Sequence, residues 1–185
     1  HTKEIDQIEP TFFEIMTTLA MWYFTIKQVD IAILETGLGG RLDSVTACNN
    51  DIILFTSISM DHHTILGESI EKIAKEKAGA ILNDKQQCMS VYQNKTTTKI
   101  LKARAKSCNN KIKFLAKEKK YNQQVFHYLY GEHQIKNSNL AKQSTYLINK
   151  QKKTNITTRQ ISKSIKNTQW PGRFQIIQNK PQIIY

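Results

Sequence analysis

Val29-Asp-Ile-Ala-Ile-Leu-Glu35-Thr-Gly-Leu-Gly-Gly-Arg-Leu-Asp43 decides how this chain reads. Its first seven residues predict a buried strand, continuous in hydrophobicity rather than alternating, as strands of parallel sheets are. Gly37-Leu-Gly-Gly40 then breaks the run. Upstream, Thr11 to about Lys27 predicts an apolar helix, with Phe12, Ile15, Met16, Leu19, Trp22 and Tyr23 at helical spacing. Downstream, Ile52-Ile-Leu-Phe-Thr-Ser-Ile58 repeats the strand pattern and runs into the polar turn Ser59-Met-Asp-His-His63. Ser69 suits the N-cap of a helix over Ile70–Ala78, with Gly79 as its stop.

The alternation continues. Cys88–Tyr92 and Ile112–Leu115 read as strands flanking a basic helix around Thr97–Lys106, and Val125–Tyr130 as another strand. Asn137–Asn149 and about Ile156–Lys166 read as helices. Trp170-Pro-Gly-Arg173 reads as a turn before the β-like stretches Phe174–Ile177 and Gln182–Tyr185. Alternating units of this kind predict an α/β fold, a mostly parallel sheet flanked by helices.

Composition narrows the function classes. The 185 residues are 39% hydrophobic, enough for a sizeable core. No run of about 18 apolar residues occurs, so no helical membrane span is expected. The first residues, His-Thr-Lys-Glu-Ile-Asp, do not read as a signal peptide. Cys48, Cys88 and Cys108 are an odd count without CxxC spacing, which argues against a disulfide framework or zinc site and for a reducing cytoplasm. Charge is divided: residues 1–84 hold 6 Lys/Arg against 13 Asp/Glu, and residues 85–185 hold 21 against 2. Such asymmetry fits a nucleic-acid-binding module, an attractor of anionic substrates, or a solvated face. The basic half lacks the aromatic interleaving that stacks bases, which disfavours nucleic acid.

In open parallel sheets ligands bind outside the carboxyl ends of the strands. Glu35 closes one predicted strand, and Asp61, His62 and His63 follow the other, so an acid and an imidazole are expected at one edge. Lys77 lies seven residues after Ile70, on the same stripe as Ile73, Ala74 and Ala78. An inward lysine must find a partner, snorkel, or lower its pKa, and a neutral amine can also take up carbon dioxide as a carbamate. The run Glu35–Asp43 is glycine-rich, but it has neither the Gly-Lys-Ser/Thr ending of a P-loop nor GxGxxG spacing.

Taken together, Thr11-Phe-Phe-Glu14, Glu35-Thr-Gly-Leu-Gly-Gly-Arg-Leu-Asp43, Thr56-Ser-Ile58, Asp61-His62, Ile65-Leu-Gly67, Ile73-Ala74, Glu76-Lys-Ala-Gly79, Gly131-Glu-His-Gln134 with Asn137, and Trp170-Pro-Gly-Arg-Phe174 resemble one family in order and spacing. That family is folylpolyglutamate synthase/dihydrofolate synthase, within the Mur ligase superfamily. The resemblance is dense over residues 11–81 and returns at 131–185.

The resemblance implies an ATP-dependent ligase that joins L-glutamate to folate or dihydropteroate through an acyl phosphate. Magnesium and ATP follow from it, with a monovalent cation as a further candidate. By position it assigns Glu35 and His62 as magnesium ligands and Lys77 as the carbamylated lysine. Thr11, Phe12, Phe13, Glu14, Leu42, Asp43 and Ser44 match folate-binding segments, and Asn137 and Arg173 match ATP contacts. It also implies a central ligase domain over 1–168, with 169–185 opening a carboxy-terminal domain. The family's phosphate loop is expected before residue 1, so the isolated chain is expected to be inactive and the full-length protein monomeric, without nucleic-acid or membrane partners. Ser44-Val-Thr46 and His63-Thr64 depart from the family's usual residues. A Mur-type ligase acting on another carboxylate, such as a peptidoglycan precursor, is the neighbouring alternative.

Overall fold

The computed structural model describes residues 9–117, 126, 128–172, 176–179 and 182–184. Its elements are α1 (Phe12–Lys27), α2 (Ser44–Ala47), β1 (Ile52–Phe55), α3 (His63–Leu66), α4 (Ile70–Ala78), β2 (Gln87–Ser90), α5 (Lys95–Ser107) and β3 (Ile112–Phe114), followed by α6 (Glu132–Lys152), α7 (Thr158–Asn167), β4 (Ile176–Asn179) and β5 (Gln182–Ile184). β1, β2 and β3 form a parallel sheet in sequence order, with Ile53 opposite Cys88 and Cys88 opposite Ile112. β4 and β5 pair antiparallel as a separate sheet. The expected α/β fold with a mostly parallel sheet is the one observed.

Parallel neighbours need crossovers, and α4 and α5 supply them. The two helices pack on each other, and their buried residues Ile73, Ala74, Ala78, Leu101 and Ala105 meet Ile53, Phe55 and Cys88 in the main core. α6 contacts β1 and β2, where Leu140 joins Met89, Val91 and Leu115 in a second cluster. Successive residues Cys88 and Met89 therefore serve opposite faces, as the period-2 geometry of a strand requires. Helices thus cover both faces of the sheet.

The local signals act as expected where a partner exists. Ser69 Oγ accepts the Lys72 N–H at 3.3 Å and starts α4, and Gly79 follows its last residue. Thr11 caps α1 in a reciprocal box with Glu14. Asn94 caps α5 by accepting the Thr97 N–H at 2.8 Å.

Four expectations need correcting. Val29–Glu35 is no strand: it is an irregular segment with a bend at Asp30, largely exposed, Ile33 at 90%, because no described neighbour offers a ladder to pair with. Glu35 accordingly stands in an irregular segment and not at a strand end. The polar turn after β1 includes the short helix α3, and Ser44–Ala47 forms α2. Of the strand read over Val125–Tyr130, the described residues 126 and 128–130 carry no strand, and the others lie outside the described residues.

Candidate functional site

The glycine-rich loop is welded to the end of α4. The Arg41 N–H donates to the Glu76 carbonyl at 2.9 Å, and the Arg41 Nε meets both Glu76 carboxylate oxygens at 3.2 and 3.1 Å. Two glycines allow this approach. A Cβ on Gly40 would lie 2.7 Å from the Lys77 carbonyl oxygen, and one on Gly79 would lie 2.6 Å from the Arg41 Cα. Neither obstacle is a movable side-chain tip, so any side chain at these positions would push loop and helix apart.

Asp43 closes the other end of the loop. Its Oδ2 accepts the Leu38 N–H and its Oδ1 the Val45 N–H, both at 2.9 Å, so one buried carboxylate ties the loop shut and caps α2. The Ser44 Oγ shares a 2.8 Å hydrogen bond with the Thr17 Oγ1 of α1. The outer edge of the Phe13 ring lies so close to Gly37 that a Cβ there would meet its Cζ at 2.8 Å. The two segments assigned to folate by resemblance are therefore brought together. Within them the duties differ. Asp43 is occupied by backbone, and the Glu14 carboxylate is occupied by Thr11, which donates from its N–H and hydroxyl at 2.7 Å each. Phe12 and Leu42 stand exposed, at 78% and 80%.

Lys77 is half-buried on α4, between the buried Ala74 and Ala78, and its side chain shares no hydrogen bond or ion pair with the described residues. His62 has left-handed backbone, φ 50° and ψ 36°, at the start of α3, and its Nε2 lies 3.7 Å from Asp61 Oδ2. Glu35 is exposed and shares no hydrogen bond or ion pair with His62. Among the described residues no group of three or more His, Cys, Asp or Glu gathers around a common point. Asn137 is half-buried in the second turn of α6. Arg173 lies outside the described residues.

Cys88 and Cys48 are poor nucleophiles. All three are free, and burial first, with Cys108 second, pushes the Cys88 thiol up to about 11, so it stays protonated at neutral pH. Burial and then Asp43 also raise Cys48. A groove of about 450 Å³ runs past Asp84, Gln87, Asn109, Lys111 and Leu147. It opens at the amino ends of β2 and β3, the edge where open α/β sheets do not place their ligands.

Sequence reading assigned no role to Arg41, Glu76 or Gln93. The first two sat inside recognised motifs and signalled only as exposed charges. Gln93 had one legible sign, a polar side chain directly after a buried strand at the carboxyl edge.

No described helix is long and apolar enough to cross a membrane. Residues 2–177 match the Mur ligase middle domain. A dihydrofolate synthase/folylpolyglutamate synthase of Bacillus subtilis (strain 168) is 31% identical over 207 residues, covering 99% of this chain and 48% of its own length. The protein of that name from Buchnera aphidicola subsp. Acyrthosiphon pisum is 35% identical over 181 residues, covering 94% and 44%. A solved FPGS–AMPPCP–folate complex superposes with a TM-score of 0.84 at 26% identity, over 99% of this chain and 50% of that one. This chain thus spans about half the length of the curated relatives it matches. With nearly its whole length matched and a parallel sheet that superposes closely on a solved relative, the chain belongs to the Mur ligase middle-domain family.

Proposed function

We propose that the protein carrying this chain is an ATP-dependent ligase that adds L-glutamate to folate or dihydropteroate in the cytoplasm. One observation carries the reading: the loop Gly37–Asp43 is locked to α4 beside Lys77 and lined by Phe13, in a chain whose relatives are named for this reaction. In that reaction the γ-phosphoryl group of ATP passes to a substrate carboxylate, giving an acyl phosphate and ADP. The glutamate amine then attacks the acyl carbon, phosphate leaves, and the amine loses a proton as the amide forms.

The residues divide the work. Phe12 and Leu42 offer apolar surface to a flat ring system, and Phe13 shapes the floor against Gly37. Glu35 supplies a carboxylate and His62 an imidazole that now lies 3.7 Å from the Asp61 carboxylate, and this acid-rich set would hold a magnesium ion that keeps several waters and phosphate oxygens. Magnesium, when bound, neutralises the phosphate oxygens and orients the transfer. Lys77, half-buried and with no side-chain partner among the described residues, is the lysine read as the carbamate: its amine would add carbon dioxide and release a proton, leaving an anionic group. Asn137 and Arg173 are the ATP contacts, Arg173 through the fork geometry that suits phosphate. Residues 1–168 form the central ligase domain and 169–185 open the carboxy-terminal one, a division supported by the separate β4–β5 sheet.

The direct test is mass spectrometry after incubation with ATP, magnesium, glutamate and either dihydropteroate or tetrahydrofolate. A product one glutamate heavier is expected. ATP turnover with a peptidoglycan precursor and none with the pterins would overturn the folate reading in favour of another Mur-type ligase.

A further inference from the structure

The ladder of β1 stops short of the residues it has to deliver. Its last backbone bond runs from the Val91 N–H to the Phe55 carbonyl at 3.0 Å, while the chain continues through Thr56, Ser57 and Ile58 toward Asp61 and His62. Among the described residues one side chain, that of Gln93, hydrogen-bonds this continuation. Gln93 Nε2 donates to the Thr56 carbonyl at 2.7 Å, and Gln93 Oε1 accepts the Ile58 N–H at 3.1 Å.

A residue on a parallel neighbour makes the same two bonds with its backbone, one on each side of the residue it faces. The Gln93 amide therefore occupies the place of a peptide group opposite Ser57. Its orientation follows from its partners, since an N–H only donates and a carbonyl only accepts. The second amide hydrogen goes to the Ser90 Oγ at 3.1 Å, whose hydroxyl in turn donates to the Val91 carbonyl at 2.8 Å. Gln93 is 5% exposed and Ser90 is fully buried, so neither group has water as a substitute. With each hydrogen and the acceptor engaged, the rotamer is fixed.

We propose that Gln93 is a positioning residue whose amide adds one bridge to β1 and thereby sets the loop that presents Asp61 and His62 at the carboxyl edge. Its bearing on the reaction rests on the reading of His62 as a metal ligand. Buried polar groups of this kind matter most through what they leave unpaired: without the amide, the Ile58 N–H, on a buried residue, has no partner.

The test compares Gln93→Met and Gln93→Glu with the unaltered protein at its natural length. Hydrogen exchange of the segment Phe55–Ile58, read by mass spectrometry as a protection factor, reports the bridge. Gln93→Met should lower protection about tenfold, the loss expected for two hydrogen bonds. Gln93→Glu keeps the acceptor and lacks the donor while ionised, so its protection should return as the pH falls and the carboxyl gains a proton. Gln93→Met should show no such return. Binding of Mn²⁺, followed by electron paramagnetic resonance at constant pH, should weaken about tenfold to a hundredfold in Gln93→Met.

Unchanged protection in both variants would overturn the bridge. Lost protection with unchanged Mn²⁺ affinity would overturn the positioning role. No Mn²⁺ binding by the unaltered protein would overturn the metal reading of His62 instead, and the exchange data would still decide for or against the bridge.

Discussion

α1 with the segment Val29–Glu35 is the more apolar region and α4 with β2 and α5 the more charged one, yet only the second contributes residues to the core. α1 has no buried residue, and Trp22, Tyr23 and Ile26 all face outward. In α4 and α5, Ile73, Ala74 and Leu101 are completely enclosed. The contrast shows that hydrophobicity sets what a segment can do and a partner surface decides whether it does so. α4 and α5 find each other and the sheet, while Val29–Glu35 has no described strand beside it and stays irregular.

The largest effect should follow from attacking the enclosed side. Leu101→Ala removes a side chain from the contact between α5, α4 and the sheet, and should cost about 2–5 kcal/mol by urea unfolding. Ile33→Ser, at a position 90% exposed, should stay within about 0.5 kcal/mol. A destabilisation by Ile33→Ser as large as that of Leu101→Ala would mean that the exposed segment is packed in solution and would break the comparison.

The glycine loop joins the two regions, and there the effects are intermediate. Gly40→Ala sets a Cβ 2.7 Å from the Lys77 carbonyl and should cost about 1–3 kcal/mol. It should also reduce ligation about a hundredfold, since displacing a reacting group by about 1 Å has that effect. Full activity with a normal melting temperature would mean that the loop need not sit on α4. Asp43→Ala leaves the Leu38 and Val45 N–H groups without their carboxylate and should cost about 0.5–2 kcal/mol, read by thermal unfolding.

The sequence reading succeeded where the signal was local. Ser69 and Gly79 bracket α4 at the residues expected, and the runs around Ile53 and Cys88 became β1 and β2 because each had a crossover helix to cover it. It failed where the outcome depends on a neighbour. Val29–Glu35 carries as strong a strand pattern as Ile52–Phe55, and periodicity contains no information about whether a ladder is available. At the site, motif order pointed to the loop and the lysine but could not separate duties. Asp43 and Phe12 look alike as motif positions, yet backbone groups occupy Asp43 while Phe12 is 78% exposed. Gln93 escaped because its partners, Thr56 and Ile58, lie 37 and 35 residues away in sequence.

The smallest effect distinguishes the two regions by acid. At the start of α1 the Glu14 carboxylate accepts two hydrogen bonds from Thr11, and the backbone bond first, the hydroxyl second, hold its pKa below the usual glutamate range. A carboxyl whose pKa is lower in the folded state stabilises that state fully above its unfolded value and loses the contribution as the pH falls through the folded one. Helix α4 starts from Ser69 Oγ, which does not titrate. Acid should therefore loosen the first turn of α1 before that of α4, seen as a fall in the Thr11 amide protection while the Lys72 amide holds. Glu14→Gln keeps an acceptor for the Thr11 N–H and has no proton to gain, so its first turn should become indifferent to pH over the same window. Equal acid sensitivity of the Thr11 amide in the unaltered protein and in the Glu14→Gln variant would show that the capping carboxylate does not govern this end of the helix.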